Sequence, residues 1–255
     1  MTQRLNLPGV LFLLALAWAW QAAALAIGSP SFPGFVQVIH AVVTNHAVFA
    51  LEMSRTLMRA GTGFALALMT MLPLGVVLGR VRTIGDLAEP VIELIRPLPP
   101  IAVVPVAMIL LGIGDAAKIS VIAYGAAFPI LINTIEAVRA SHPMLSNVAR
   151  ALRLTPAETM RLIDLPAALP QIVAGVRLSV AASVLVAVVA EMMLSTDGMG
   201  MFLMRAQERF EIANGLAGLL IIALIALAIN SAVLAIERRL LRWHYARLVG
   251  GQSRG

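Results

Sequence analysis

Two ionisable residues lie within one long apolar stretch of the chain. Arg177 and Glu191 both fall in 172–194, where most other side chains are aliphatic. A charge at membrane depth is costly, so such residues are candidates for a functional role. Arg177 lies about one helical turn inside the stretch, where its long side chain can also reach the polar surface. Glu191 lies about 21 Å further along a helix, and three roles remain open for it: a gate, a partner for a cation from a neighbour, or a wetted interfacial carboxylate.

Three other polar residues in apolar stretches are candidates to line a transport pathway. Asn133 and Thr134 close one stretch and are placed at its inner mouth. Tyr124 lies in the same stretch, and its hydroxyl is a candidate pathway group. The residue types alone do not decide between this role and ordinary helix packing.

One short motif raises the question of proteolysis. The sequence Gly112-Ile113-Gly114-Asp115 matches the Gly-x-Gly-Asp pattern of intramembrane aspartyl proteases. That chemistry needs a second aspartate in a neighbouring span, because two carboxylates must share one proton. The remaining aspartates, Asp86, Asp164 and Asp197, fall outside the apolar stretches. A protease is therefore disfavoured.

Other catalytic and metal chemistry has little support in the sequence. The chain has no cysteine, and no nucleotide-binding or hydrolase motif is present. The four histidines are scattered and form no ligand cluster: His40, His46, His142 and His244. We therefore expect a non-enzyme without a metal or cofactor of its own, and any ATP must be bound by another chain.

The composition excludes an ordinary soluble domain. Hydrophobic residues make up 60% of the 255 residues and charged residues 13%, against about 45–50% and about 25% in soluble domains. A fold of this size cannot hide so much apolar surface from water. The net charge of +6 fits a membrane protein whose arginines face anionic lipid on the cytoplasmic side.

Six apolar stretches are candidate membrane spans, since a spanning helix needs about 20 mostly apolar residues. They are Leu7–Ile27, Gly61–Gly79, Pro97–Leu111, Ala116–Thr134, Ile172–Leu194 and Gly215–Ile236. The first also fits a signal peptide, but it is longer than usual, and we expect it to be kept as a helix. The fold class is therefore an all-α, polytopic bundle of six transmembrane helices in one domain, residues 1–255.

The arginines predict the orientation of the bundle. With the N-terminus inside, the inside segments hold 13 of the 19 lysines and arginines and the outside segments hold 5. The inside residues are Arg4, Arg80, Arg82, Arg96, Arg139, Arg150, Arg153, Arg161, Arg238, Arg239, Arg242, Arg247 and Arg254. The outside residues are Arg55, Arg59, Lys118, Arg205 and Arg209. This bias predicts that both termini lie inside.

The longest inside loop, residues 136–171, is amphipathic and punctuated by prolines. Pro156 suits the first turn of a helix, with Thr155 as its N-cap and Glu158 in its first turn. The loop is therefore predicted to form two short helices with a break near Arg153–Thr155. Such a helix pair, facing the cytoplasm between spans four and five, is suited to docking onto a partner.

This loop resembles the EAA loop of ATP-binding-cassette importer permeases. That pattern is Glu-Ala-Ala, three residues, Gly, nine residues, Ile, one residue and Leu-Pro. The aligned residues are Asn147-Val148-Ala149, Arg153 and Ile163-Asp164-Leu165-Pro166. Further segments resemble the nitrate, sulfonate and taurine branch: residues 96–100, 111–114, 128–134, 165–170 and 190–192. The resemblance covers about 55–202, and it implies a type I importer core over about 55–236.

Two positions depart from the pattern: Asn147 replaces the first Glu, and Arg153 replaces the Gly. Glycine tolerates a positive φ and so permits a tight break. We therefore expect Arg153 to take an ordinary backbone conformation, or the break to move to Thr155–Pro156. Arg153 is alternatively a contact for a carboxylate on an ATPase or a solvated surface residue.

The resemblance implies the function and the partners. It implies a permease subunit in the bacterial inner membrane that passes a small polar solute by alternating access. ATP and Mg²⁺ are expected in two separate ATPase subunits, with a second permease copy, as homodimer or heterodimer, and a solute-binding protein. It assigns coupling to the ATPase to this set: Asn147, Val148, Ala149, Arg150, Ala151, Leu152, Arg153, Leu154, Ile163, Leu165 and Pro166.

A secondary transporter working alone is the other reading from a different class. It predicts internal repeats and broken helices in both halves of the chain. No clear repeat is visible in the sequence, and the docking loop would have no role. The permease reading is therefore preferred.

Overall fold

The computed structural model describes residues 7–140, 143–194 and 196–241. Its helices are α1 (Leu7–Ile27), α2 (Phe35–Thr44), α3 (His46–Arg80), α4 (Arg82–Ile95), α5 (Pro100–Leu111), α6 (Asp115–Arg139), α7 (Pro143–Ala151), α8 (Pro156–Thr159), α9 (Leu165–Leu194), α10 (Met199–Glu208) and α11 (Ile212–Leu240). A π-helical turn, Met160–Asp164, joins α8 to α9. Some residues of the sequence arguments lie outside the described ranges: Arg4, His142, Arg242, His244, Arg247 and Arg254.

The chain folds as an all-α, multi-pass membrane bundle. Within the described ranges, five helical segments are long and apolar enough to cross a membrane: Leu7–Ile27, His46–Arg80, Asp115–Arg139, Pro156–Leu194 and Ile212–Leu240. A sixth crossing arises if α4 and α5 are taken together, although they are bent by 96°. The third predicted span, Pro97–Leu111, therefore forms only the second half of a broken unit. Pro99 and Pro100 explain the break, because proline lacks an N–H and favours the first turn of a new helix.

Helix α6 forms the centre of the bundle, between α3 and α9. A Cβ on Gly75 of α3 would lie 2.7 Å from Thr134 Cβ, and one on Gly175 of α9 would lie 2.6 Å from Asn133 Cβ. Helix backbones approach so closely only where side chains are small. Gly75 of α3 and Gly175 of α9 therefore lie on packing surfaces within this chain.

Ion pairs mark the two ends of the bundle. At one end Arg59 of α3 lies 2.9 Å from Asp115 of α6, and at the other Arg80 lies 3.0 Å from Asp164. We call these the cluster end and the loop end. Arg59 and Arg80 are about 31 Å apart along α3, close to the thickness of a bilayer core. Helices α3 and α6 both run from the cluster end to the loop end. The segment between them, residues 81–114 with α4 and α5, must therefore lead from the loop end back to the cluster end.

The broken unit is fastened to α6 along α4 and at its bend. The Tyr124 hydroxyl lies 2.9 Å from the carbonyl oxygen of Ile95 and 3.1 Å from that of Leu98, in the turn between α4 and α5. Nearer the loop end, Arg139 of α6 contacts Asp86 and Glu89 of α4. The bend between α4 and α5 is thus a defined feature of the fold.

Helices α1 and α11 lie at the periphery. Trp20 of α1 donates its indole N–H to the Pro33 carbonyl, and most α1 side chains are exposed, as suits a helix surrounded by lipid. Helix α11 is held by an amide contact from Asn45 to Asn214 and by an ion pair between Arg177 and Glu237.

Candidate functional site

Helix α7 exposes an apolar face, and Ala149, next to that face, is buried. Met144, Val148 and Leu152 follow at four-residue intervals, with exposed fractions of 70%, 43% and 64%. Residues four apart share a helix face. Ala149 is only 5% exposed, and with Leu154 it lines a cavity of about 280 Å³ against the end of α3. The helix is therefore anchored to the bundle through Ala149 and presents an apolar stripe beside it.

Arg153 ends this helix in the left-handed backbone region, at φ 51°. Its N–H donates to the Arg150 carbonyl at 3.0 Å, and the Leu154 N–H donates to the Ala149 carbonyl at 3.1 Å. These two bonds form a Schellman motif, whose left-handed position usually holds glycine. The expectation that Arg153 takes an ordinary conformation, or that the break moves to Thr155–Pro156, is therefore wrong. The two terminal hydrogen bonds offset a left-handed penalty of about 1–2 kcal/mol.

The second short helix begins where the sequence predicts. The Thr155 hydroxyl accepts from the Glu158 N–H at 3.3 Å, and the Glu158 carboxylate accepts from the Thr155 N–H at 2.8 Å. This reciprocal capping box satisfies two donors at the helix start. The predicted break near Arg153–Thr155, the N-cap and the first-turn Glu158 are confirmed.

Asp164 ties the end of the loop to the bundle. It is buried, and its carboxylate accepts from Arg80 at 3.0 Å. Ile163 is half-buried, whereas Leu165 and Pro166 are exposed. Asp164 occupies the variable position between the Ile and the Leu-Pro of the EAA pattern, and it is therefore this residue that holds the loop to α3. Asn147, Arg150, Ala151 and Arg153 are exposed, and the Asn147 side-chain oxygen accepts from Arg150.

A largely buried set of charged and polar side chains, the polar cluster, closes the other end of the bundle. Its members are Glu52, Thr56, Arg59, Asp115, Lys118, Glu191 and Asp197. Arg59 is at its centre: its guanidinium lies 2.8 Å from Glu191 and 2.6 Å from Asp197, besides its contact with Asp115. The cluster joins α3, α6, α9 and the start of α10.

The Glu191 carboxylate is fully buried and well supplied with donors. It accepts from Arg59, from the Thr56 hydroxyl at 2.7 Å and from the Gly200 N–H at 3.1 Å. The three donors compensate for the loss of hydration that a buried carboxylate suffers. Of the alternatives left open for Glu191, the wetted carboxylate is contradicted, and the partner cation is Arg59 of α3.

Two glycines let α10 approach this carboxylate. Gly198 has φ 93°, and a Cβ there would overlap the Glu191 carboxyl group. A Cβ on Gly200 would overlap the Val188 carbonyl oxygen. Sequence reasoning counted Arg59 and Lys118 with the outside cations and missed the cluster. A signal for the cluster was present in the sequence. Arg59, Asp115 and Glu191 each lie at the edge of a predicted span, and Gly198 and Gly200 follow the fifth span.

The other pathway candidates have partners within the bundle. The Tyr124 hydroxyl contacts the α4–α5 turn, and Asn133 donates to the Pro129 carbonyl at 2.8 Å. Thr134 is buried and donates to the Ile130 carbonyl at 2.7 Å. Arg177 pairs with Glu237 at 3.2 Å. A pathway role for these four residues stays a prediction.

Comparison with known proteins decides the family. Residues 71–243 match the model of a family described as the inner membrane component of binding-protein-dependent transport systems. The chain belongs to this family. The match begins within α3 and includes both the loop of α7 and Glu191, so both features lie in the family's core.

Two curated relatives are permeases of named transport systems. This permease is 30% identical to the taurine transport system permease protein TauC of Escherichia coli (strain K12) over 244 residues, 92% of this chain and 88% of the relative. It is 31% identical to the bicarbonate transport system permease protein CmpB of Synechococcus elongatus over 188 residues, 73% of this chain and 68% of the relative. The permease is therefore a membrane-embedded component of an ATP-binding-cassette importer, and its place is the inner membrane.

A solved structure shares the fold. A chain of the MetNI methionine ABC transporter, in an inward-facing conformation, matches with a TM-score of 0.68 at 20% identity, over 77% of this permease and 97% of that chain. At this identity the likeness concerns the fold alone. The expected all-α, multi-pass fold is confirmed, whereas six spans with both termini inside stay a prediction.

Proposed function

We propose that this permease forms the membrane pathway of an ATP-driven importer for a small solute that carries an anionic group. The named relatives support this class, since taurine carries a sulfonate and bicarbonate is itself an anion. Among the described residues, the pathway candidates Tyr124, Asn133, Thr134 and Arg177 all make contacts within the bundle, and none of them is assigned to the solute. Solute choice is therefore assigned mainly to the binding protein.

The loop of α7 is the proposed contact with the ATPase subunits. The observation that carries this assignment is the exposed apolar stripe Met144, Val148 and Leu152 on a helix that is anchored through Ala149. An exposed apolar face flanked by polar residues is typical of a protein interaction site. The stripe refines the sequence prediction, because Ala149 faces the bundle rather than a partner.

The loop also has the means to transmit force. Its far end continues through the π-helical turn into α9, and Asp164 fastens that turn to Arg80 of α3. At the opposite end the polar cluster fastens the same two helices together. Helices α3 and α9 are therefore held to each other by an ion pair at each end. A displacement of α7 is expected to move the two helices together. Each of two ATPase subunits would grip one permease copy in this way, with ATP and Mg²⁺ held in the ATPases.

The charge distribution supports a loop end that faces the cytoplasm. The cations Arg55, Arg59 and Lys118 at the cluster end are each paired with carboxylates, and Arg205 and Arg209 are the exposed arginines described near that end. At the loop end Arg82, Arg153 and Arg161 are exposed. Because exposed arginine favours the cytoplasmic side, the loop end and the ATPase partners are placed there.

Reconstitution tests this function. The whole importer, with its ATPase and binding-protein partners, is placed in proteoliposomes, and uptake of labelled taurine or bicarbonate is compared with ATP hydrolysis. Deletion of Ala149–Leu154 is expected to abolish uptake while the chain remains inserted. A control deletion of Arg209–Glu211, in the turn before α11, leaves the ATPase contact intact. Uptake that continues without ATP would instead favour a transporter that works alone.

A further inference from the structure

A groove separates the middle parts of α9 and α11. Among the described residues, α11 is buried at Ala217 and Gly218 towards the cluster end and at Glu237 towards the loop end. Between these points the two helices enclose a cavity of about 230 Å³. Its walls are mainly aliphatic: Val180, Val184, Leu185, Ile222, Ile229 and Val233. The helix is therefore held near its ends, and the space beside its middle is open.

A cation lies at the loop end of this groove. Arg177 lines it, and its Nη1 donates to the Glu237 carboxylate at 3.2 Å. A guanidinium carries five N–H donors. Within the described part of the chain Arg177 makes only this hydrogen bond, so Nε and Nη2 are available to an anion. Arg238 and Arg239 are exposed in the last turn of α11, so two further cations lie near this end of the helix.

The shape and the charge of the groove fit one class of ligand. Ile222 and Val233 are about 16 Å apart along α11, so the groove is long as well as narrow. Apart from Arg177 and Asn230, its walls are aliphatic, so a polar solute that fills the groove would lose hydration and gain few new hydrogen bonds. We propose that the groove binds an anionic phospholipid, with one acyl chain between α9 and α11 and the phosphate on Arg177.

The bound lipid has a structural role as well. The membrane offers little hydrophobic drive for helix association, so packing depends on filled contacts. An acyl chain in the groove contacts the middle of α11, where the described part of the polypeptide leaves an open space. The phosphate adds a charge-assisted bond to the guanidinium, at the level where α11 reaches its last turn.

The lipid proposal is tested on the whole importer complex, independently of transport. The complex is equilibrated with vesicles of equimolar phosphatidylglycerol and phosphatidylcholine, and native mass spectrometry counts the retained lipids. Wild type is expected to retain phosphatidylglycerol in preference to phosphatidylcholine. Arg177→Gln should lower that preference about tenfold, and Arg177→Lys should keep most of it. The matched control, Arg205→Gln on α10, leaves it unchanged.

Two further variants distinguish a loss of lipid binding from a folding defect, and a bound lipid from a second permease copy in the groove. Ala226→Trp fills the groove without removing a charge, and it should lower lipid retention to a similar extent. Retention that is unchanged in both Arg177→Gln and Ala226→Trp would overturn the proposal. Because the chain has no cysteine, Leu185→Cys, at an exposed position of the groove, reports on a second copy: a disulfide between two permease copies at Leu185 would also overturn the proposal.

Discussion

The Arg59 guanidinium lies 2.8 Å from the Glu191 carboxylate, and this contact joins α3 to the last turn of α9 across 132 residues of sequence. Both side chains are buried, at 3% and 0% exposure. A buried charge that loses its partner is far more costly than an exposed one. The stability of the cluster end therefore depends on this pair.

Replacement of Glu191 by Ala is expected to destabilise the purified permease by about 3 kcal/mol, because Arg59 keeps its other carboxylates but loses the most buried one. Thermal unfolding in detergent measures the change. The control is Glu208→Ala, which removes an exposed carboxylate from α10 and is expected to cost less than about 0.5 kcal/mol. Equal effects of the two substitutions would contradict the assigned role of Glu191.

The close contact of α3 with α6 predicts a sharp difference between two glycines of the same helix. A Cβ at Gly75 would lie 2.7 Å from Thr134 Cβ and 3.1 Å from the Leu131 carbonyl oxygen, whereas a Cβ at Gly61 meets nothing within 4 Å. Gly75→Ala should therefore destabilise the protein by about 1–3 kcal/mol. Gly61→Ala should be neutral or slightly stabilising, since alanine favours helix by up to about 1 kcal/mol. Unfolding midpoints of the two variants provide the measurement.

The sequence was most informative where the cause is local. Thr155, Pro156 and Glu158 carry the complete chemistry of a helix start within four residues, and the structure places the helix there. Long apolar stretches likewise predicted the spanning helices, because length and hydrophobicity are properties of the segment itself.

The polar cluster could not be predicted because its partners are distant in sequence. Arg59, Asp115 and Glu191 come from three different helices, and no local pattern says which charge faces which. The backbone of Arg153 escaped prediction for another reason. Residue preference argues against a left-handed arginine, but two terminal hydrogen bonds of α7 require that conformation.

Arg153→Gly is expected to stabilise the loop by about 1 kcal/mol, because glycine takes the left-handed conformation without the steric penalty. Hydrogen exchange of the α7 amides measures the gain. Arg150→Gly, three residues earlier in the same helix, provides the matched control and should cost about 1 kcal/mol. Lower exchange protection of α7 in the Arg153 variant would show that the arginine side chain itself holds the loop.

The orientation of the bundle predicts which residues can be labelled from each side. Leu162 at the loop end is 61% exposed, and Phe210, in the turn after α10, is 86% exposed. With a membrane-impermeant maleimide, Leu162→Cys should react in inside-out vesicles and Phe210→Cys in spheroplasts. The absence of native cysteine makes each label specific. The reverse pattern would place the loop end outside the cytoplasm and would exclude the proposed ATPase contact.

The stripe on α7 predicts a loss of coupling without a loss of folding. Val148→Glu places a charge on the exposed apolar face, where it meets water in the free permease but an apolar surface in the complex. Uptake should fall at least tenfold, as expected for a loss of about 1.4 kcal/mol or more in coupling. Asn147→Glu, one residue earlier and also exposed, is the control: it adds the same charge but places the glutamate of the EAA pattern at its own position, so uptake should be retained.

The contact between α7 and the ATPase is the central claim, and site-specific crosslinking tests it most directly. A benzophenone label on Leu152→Cys, at the end of the stripe, is photolysed in the assembled importer, with Phe210→Cys as the comparison. We expect a covalent adduct between the Leu152 position and the ATPase subunit, and none between the Phe210 position and that subunit. An importer that hydrolyses ATP and transports its solute, yet gives no ATPase adduct from the Leu152 position, would contradict the account.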